Sequence, residues 1–326
     1  MWTRVLPVLL LVAAISARAA TEVAPDIWLI PGATPLNAQP DGNTVIIDAS
    51  AGLIVFDTGR HVAHTQQILD FAKEKSAPIK AIINSHWHLD HIGGNVMLRR
   101  ENPAIPVYAS SALQEALGGF LARYRAQLVD AVAQATDPAA QESFRTEIGL
   151  IDAGPMLQPT YVVHGSGRRT IAGYDLDVKL ERSAVTAGDL WVIDPKTHVL
   201  FAGDLVTLPA PFLDTACPKH WRAALGDLAG SGFRILVPGH GAPMDRDGLK
   251  VYREAFDGLL ECAAGEQPKE ACIAGWLDDA AALIPASDQE YARGALDYYM
   301  DQVLRGHDEQ IAKLCTVAPR RESHTS

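Results

Sequence analysis

Residues 81–95 read Ala-Ile-Ile-Asn-Ser-His-Trp-His-Leu-Asp-His-Ile-Gly-Gly-Asn. The first three are apolar and Ile-rich, as expected for the end of a buried strand. Four potential metal ligands then fall within six positions, spaced H-x-H-x-D-H: His86, His88, Asp90 and His91. Gly93 and Gly94 follow, and residues 95–100 continue in a helix-like pattern. On a chain turning from strand to helix, His86 and His88 can point the same way and share one ion. Asp90 and His91 come round the turn and can reach a second. Imidazole and carboxylate suit Zn²⁺, and open sites built from them activate water. The plain alternative is a His-rich surface turn, but three histidines and an aspartate rarely converge by accident beside a glycine pair.

The flanking pattern supplies the scaffold. Residues 26–30 read as a strand stopped by Pro31-Gly32, residues 37–42 as turn material, and residues 44–47 and 53–56 as a hairpin ending in Asp57-Thr58-Gly59. Residues 61–75 carry helical periodicity, with Val62, Ile68, Leu69 and Ala72 on one face and His61 and His64 towards solvent. Residues 80–83 then form the strand that delivers the histidines, and a strand–helix–strand crossover predicts α/β layers. Residues 111–151 are helical in composition, with Leu113, Leu117, Phe120, Leu121, Tyr124, Leu128 and Val132 at helical spacing. Strands resume at 160–164, 169–171, 176–180, 190–193 and 199–202, His164 being a strand surface residue. The 199–202 strand ends in Gly203-Asp204, and residues 205–218, with Pro209, Pro211 and Phe212, form a loop that could cover a site. A helix over 220–229 and a strand over 234–237 lead to Pro238-Gly239-His240-Gly241. Beyond residue 248 the pattern is helical to the end, and His307 and His324 are read as solvent residues.

Taken together, these residues resemble the signature of the metallo-β-lactamase fold superfamily, whose members include β-lactamases, glyoxalase II and many lactone, thioester and phosphoester hydrolases. The resemblance runs from residue 27 to residue 241. It implies an α/β fold, a four-layer αββα sandwich with metals at one edge of the paired sheets. It also implies roles. Asp57 would brace the metal-binding loop, as expected because ligating imidazoles need an acceptor on their other nitrogen. Asp204 would be the bridging carboxylate, one oxygen for each cation. His240 would be the last ligand, with Gly239 and Gly241 allowing close backbone approach. The insertion at 111–151 would border the mouth, where Phe120 or Tyr124 could line it. One site would hold Asp90, His91 and His240, the other His86 and His88, with Asp204 shared. The chain departs from the family at residues 184–189, Ala-Val-Thr-Ala-Gly-Asp. There the family reads His-Thr-x-Gly-Asp, so Val185 stands where the third histidine of the His86/His88 site belongs, and valine cannot ligate.

Composition bounds the partners. Formal charge is −11 over 326 residues, and this lack of a basic surface argues against nucleic acid or an anionic membrane as partner. Residues 1–20 read as an export signal: Arg4 opens it, an apolar run spans 6–15, and Ala17-Arg18-Ala19 offers a cleavage site. The run is too short to span a bilayer comfortably. Four cysteines, with no C-x-x-C pair, argue against structural zinc. In an oxidising compartment Cys262 and Cys272 could close a short loop and leave Cys217 with Cys315, or all four could be buried thiols; spacing alone does not decide.

The expectation is thus a periplasmic or secreted protein: a signal at 1–20, a metallo-β-lactamase-like domain at 21–247, and a helical extension at 248–326 packed on it. The resemblance implies a zinc-dependent hydrolase, one ion tightly held and room for a second, that uses activated water on a small-molecule lactam, lactone, ester or thioester. Asp90 would orient the nucleophile. No G-x-S-x-G occurs, so no serine-hydrolase elbow competes. The alternative, favoured by Val185, is a catalytically degenerate metal-binding accessory protein of a periplasmic oxidation system.

Overall fold

Twelve strands pair into two sheets in the computed structural model, which describes residues 20–33, 39–306 and 309–316. The first sheet runs β1 (Thr21–Ala24), β2 (Ile27–Ile30), β3 (Thr44–Ala49), β4 (Gly52–Phe56), β5 (Ile79–Ile83), β6 (Val107–Ala109) and β7 (Tyr161–Val162), in spatial order. Pairing is antiparallel as far as β4 and parallel beyond it. The second sheet is ordered β12-β11-β10-β9-β8: β8 is Gly167–Ile171, β9 Tyr174–Glu181, β10 Asp189–Ile193, β11 Val199–Thr207 and β12 Ile235–His240. All its pairings are antiparallel except β11 with β12. Both β4 and β11 are buried along their whole length, which explains why β4 and the first half of β11, residues 199–202, read as unbroken apolar runs rather than as alternation.

The period-2 rule assigns each face to a layer. Ile27, Leu29, Val45, Ile47, Ile54 and Phe56 meet Leu176, Val178, Leu190, Val192 and Phe201 between the sheets. The alternate residues Ile30, Ile46, Leu53, Val55 and Ile82 face outward onto Ile68 and Phe71 of α1 (Val62–Glu74). Outside the second sheet, Trp191, Ile193, Leu200 and Ala202 share one apolar cluster with Trp221 and Leu225. These two lie on α8 (Pro218–Gly230). The result is the αββα sandwich expected.

The same cluster takes in three C-terminal helices: α9 (Arg246–Ala264), α10 (Lys269–Asp279) and α11 (Gln289–Tyr299), which runs into a π-helical turn at Met300–Leu304; α12 (Glu309–Thr316) follows. Trp276 of α10 donates its indole N–H to the Pro209 carbonyl at 2.9 Å, tying this segment to the loop after β11. Disulfides join Cys217 to Cys315 and Cys262 to Cys272, so the cysteines pair and none of the four is free. Among the described residues no helix is long and apolar enough to cross a membrane. The signal segment, apart from Ala20, lies outside the described residues, as do His307, His324 and part of the 37–42 turn.

Three expectations change. β11 runs on to Thr207, so the loop expected over 205–218 spans 208–217. On α1 the inward stripe is His64, Ile68 and Phe71, spaced i, i+4, i+7, and Val62 is 67% exposed. His64 is buried because its Nε2 is 2.8 Å from Thr44 Oγ1, which gives the ring a polar partner inside. The 111–151 segment is not one helix. It breaks into α4 (Ala112–Gly118), α5 (Phe120–Gln134) and α6 (Pro138–Asp152), followed by the short α7 (Gly154–Leu157). Gly119 separates the first two, and Asp137, accepting from the Ala139 and Ala140 amides ahead of a first-turn proline, starts the third. These helices pack on Trp87, Leu89, Ile92 and Val96, the last on α3 (Asn95–Glu101).

Candidate metal centre

Strand ends carry the candidate donors. His86 and His88 follow β5, and Asp90 and His91 lie in the short α2 (Leu89–Ile92). Asp204 lies within β11 and His240 ends β12. The six sequence-predicted residues converge, all buried. One donor atom each from His86, His91 and Asp204 lie within 4.8 Å of one another, and so do those of Asp90, His91 and His240. His88 joins through His86, its Nδ1 being 2.8 Å from His86 Nε2. Asp204 faces both ways: Oδ2 is 3.6 Å from His86 Nε2, while Oδ1 is 3.1 Å from His91 Nε2 and 3.6 Å from His240 Nε2. Asp90 Oδ2 lies 3.0 Å from His240 Nε2.

Glycines make this convergence possible. A Cβ on Gly239 would stand 2.0 Å from Asp204 Oδ1, and one on Gly42 would stand 2.5 Å from His91 Cε1. Asn43 then fixes the His240 turn by donating from Nδ2 to the Pro238 and Gly241 carbonyls, both at 2.9 Å.

Around the rings, acceptor-only partners decide where the protons sit. Asp57 Oδ2 accepts from Ser85 Oγ at 2.7 Å and from His91 Nδ1 at 2.8 Å. With its own proton given to Asp57, Ser85 Oγ can only accept from His86 Nδ1, at 2.9 Å. Thr215 Oγ1 donates to the Val185 carbonyl and lies 2.9 Å from His88 Nε2, so it accepts from that nitrogen. In the neutral rings, therefore, His86 Nε2 and His88 Nδ1 both present bare lone pairs to each other. Two lone pairs at 2.8 Å repel each other, and a cation between them removes that repulsion. Asp204 turns Oδ2 towards His86, and its buried Oδ1, facing His91 and His240, accepts no hydrogen bond among the described residues. An orphaned carboxylate oxygen next to bare imidazole nitrogens is the donor set a divalent metal takes, so the residues fit a metal.

Electrostatics agree. Burial holds the His88 ring down to about 3 and pushes His86 well below the ordinary histidine value, so both are neutral. Burial also opposes a charge on His91, but Asp204, Asp90 and Asp57 outweigh it and raise that ring well above its ordinary value. Burial likewise pushes Asp204 up, yet His91, His240 and His86 hold it down to about 2. The acidic side of the cluster thus favours a cation.

Val185 is fully buried in the apolar cluster with Ala184, Leu205 and Ala216. Asp189 closes its turn by accepting from the Val185 and Thr186 amides and from Thr186 Oγ1 at 2.7 Å. The turn keeps its shape and offers no ligand side chain.

The cluster forms the floor of a cavity of about 470 Å³, with His88, Asp90, Asp204 and His240 exposed to it. Phe120 and Tyr124 line it, as do Pro209, Pro211 and Phe212 of the 208–217 loop. Sequence reading missed contributors of three kinds. Tyr291, Tyr298 and Tyr299 come from the C-terminal helices and complete the wall. Arg60, also lining, pairs with buried Glu147 of α6 at 2.5 Å and stands 3.6 Å from Asp90 Oδ1, while Tyr124 donates to Glu147 at 2.8 Å. Thr215 is the third, a hydroxyl in a loop with no pattern to mark it. For Arg60, its place directly after the Asp57-Thr58-Gly59 turn was the available signal.

The family model for the metallo-beta-lactamase superfamily matches residues 39–259. A linear primary-alkylsulfatase from a Pseudomonas strain is 27% identical over 240 residues, covering 65% of this chain and 44% of that protein; the chain spans less than half that relative's length. Among solved structures, a metallo-beta-lactamase from Pontibacter korlensis superposes with a TM-score of 0.54 at 20% identity, covering 73% of this chain and 98% of that one. A stereoselective inverting sec-alkylsulfatase from Pseudomonas sp. reaches 0.57 at 19% identity, covering 88% of this chain and 51% of that one.

Proposed function

Because the chain belongs to the metallo-β-lactamase superfamily, we propose that it is a zinc-dependent hydrolase, exported to the periplasm or beyond, acting on a small-molecule lactam, lactone, ester or thioester. The observation that carries the reading is the bare nitrogen pair of His86 and His88 together with the Asp204 carboxylate, whose unbonded oxygen faces His91 and His240, set in the floor of an open cavity. Asp90, His91, Asp204 and His240 would hold one zinc, and His86 and His88 with Asp204 a second, weaker one. Zinc there supplies a Lewis acid and lowers the pKa of water to about 7.

The chain's own residues do the rest. Asp90 orients a water against the scissile bond, accepts its proton and returns it to the departing oxygen, sulfur or nitrogen. Arg60 beside Asp90 Oδ1, itself anchored by Glu147, keeps that carboxylate in place. Phe120, Phe212 and Tyr299 offer an apolar wall to the non-reacting part of the substrate, which favours small organic molecules over polymers with charged backbones. Export is supported by the N-terminal sequence and by both disulfides. The degenerate, accessory alternative gains nothing from the relatives, which carry enzyme names.

The test is hydrolysis of a panel of lactams, lactones, esters, thioesters and alkyl sulfate esters by protein stripped of metal and then given zinc. Turnover of at least one class that disappears with the metal and returns with zinc is expected. Metal-independent turnover, or none with zinc bound, would overturn the reading.

A further inference from the structure

We propose that Thr215 sets the tautomer of His88, so that a donor pair lacking its third histidine still opens toward a metal; the metal half of this inference rests on the reading above. Thr215 is 5% exposed and sits in the loop between β11 and α8. Its hydroxyl proton is committed to the Val185 carbonyl at 2.9 Å, because a carbonyl can only accept. The oxygen therefore accepts from His88 Nε2–H at 2.9 Å. A neutral imidazole has a single N–H, so His88 Nδ1 is left bare.

The competing state is visible in the same geometry. His88 Nδ1 lies 2.8 Å from His86 Nε2, whose ring is held in the Nδ1–H form by Ser85. Moved to Nδ1, the His88 proton would complete a good hydrogen bond to His86 and close the pair against any cation. Thr215 pays the ring to keep its proton on the far side. The residue that departs from the family pattern takes part through its backbone: Val185 gives its carbonyl as the anchor while its side chain stays in the apolar core.

The anchor is fixed from the C-terminal end of the chain. The Cys217 amide donates to the Ala184 carbonyl at 2.8 Å, Cys217 is bonded to Cys315, and Ser183 Oγ donates to the Leu314 carbonyl at 2.8 Å. The two short segments that hold Thr215 and Val185 are thus stitched to each other and to α12. Edge contacts from Trp87 and Phe212, with ring centroids 4.7 and 4.8 Å from that of His88, restrict the imidazole further. Thr215 is a positioning residue: it acts through His88.

Nitrogen-15 NMR of the full, metal-free protein reads the tautomer directly. Wild type and Thr215→Ser should show His88 protonated at Nε2, whereas Thr215→Val, which keeps the shape and removes the hydroxyl, should show the proton moved to Nδ1. Zinc titration of the same samples should show the weaker site of Thr215→Val losing about 10- to 100-fold in affinity and the tighter site unchanged. A wild-type His88 protonated at Nδ1 would overturn the proposal without recourse to any variant. So would a Thr215→Val protein that keeps the Nε2–H form and the wild-type affinity. A tautomer that follows Thr215 in a protein with no zinc affinity would support the positioning role and refute the metal reading instead.

Discussion

The two sides of the donor cluster are held by different chemistry. Around Asp90, His91 and His240 the supports are charged: Asp57 takes the His91 Nδ1 proton, and Arg60, paired with Glu147, stands beside Asp90. Around His86 and His88 they are the neutral hydroxyls of Ser85 and Thr215. The first side brings an ionised carboxylate and two rings of its own, the second only two neutral rings, and Asp204 is common to both. Charged supports hold a carboxylate where a cation needs it, whereas hydroxyls choose a tautomer and add little field. The comparison therefore predicts two unequal affinities in one pocket.

Removing donors should break the symmetry most visibly. Asp90→Ala and His240→Ala should abolish retention of zinc through dialysis and turnover with it, while His86→Ala should keep close to one ion per chain and lose mainly activity. Metal analysis beside kinetics checks this, and equal zinc loss from all three would mean that the sides are not separable. The charged support should dominate stability. Arg60→Met leaves Glu147 buried without its cation and should cost about 3–5 kcal/mol in denaturant unfolding, much of it recovered by the double change Arg60→Met/Glu147→Leu. If the double variant is as unstable as the single one, pairing is not what the arginine provides.

A hydroxyl support should matter less and more locally. Ser85→Ala should weaken the second zinc by about 10- to 100-fold and barely touch the first. Equal weakening of both would place Ser85 with the charged supports, through Asp57. The smallest effect lies at the base of the Arg60 loop, where Asp41 accepts from the Arg60 and His61 amides and from His61 Nδ1. The hydrogen bond to Asp41 raises the half-exposed His61 ring above its ordinary 6.5. Its stabilisation is therefore full below 6.5 and fades as pH rises through the raised value. The stability gap between wild type and His61→Gln should be wider near about pH 5.5 than near about pH 8.5. A gap that is constant or widens with pH would contradict the pairing.

How far the sequence reveals this molecule follows from where the information lies. His86 and His88 were legible from their own spacing after an apolar run, whereas Asp57, Asp204 and His240 were legible only through the family resemblance, since an Asp or His beside a glycine is common in turns. The register of α1 was not, since a buried histidine with a hydroxyl partner looks polar to any periodicity rule, and it moved the inward stripe from Val62 to His64. Arg60 and Glu147 are 87 residues apart, and their pairing exists only after the 111–151 helices have packed. The tyrosines of α11 were read only as part of a packing cap, because nothing local marks a helix face that ends up on a cavity. Thr215 was the least visible: a loop hydroxyl has no period, and its role depends on which carbonyl stands behind it.

The most direct measurement of the central claim is the zinc content of the purified protein after exhaustive dialysis, followed by titration back with zinc while turnover is recorded. Unequal sides predict close to one ion per chain retained, a second entering only in excess metal, and activity rising with that occupancy. Two ions held through dialysis, with no further gain on adding zinc, would contradict the account and show that two rings and a shared carboxylate bind as tightly as the full set opposite.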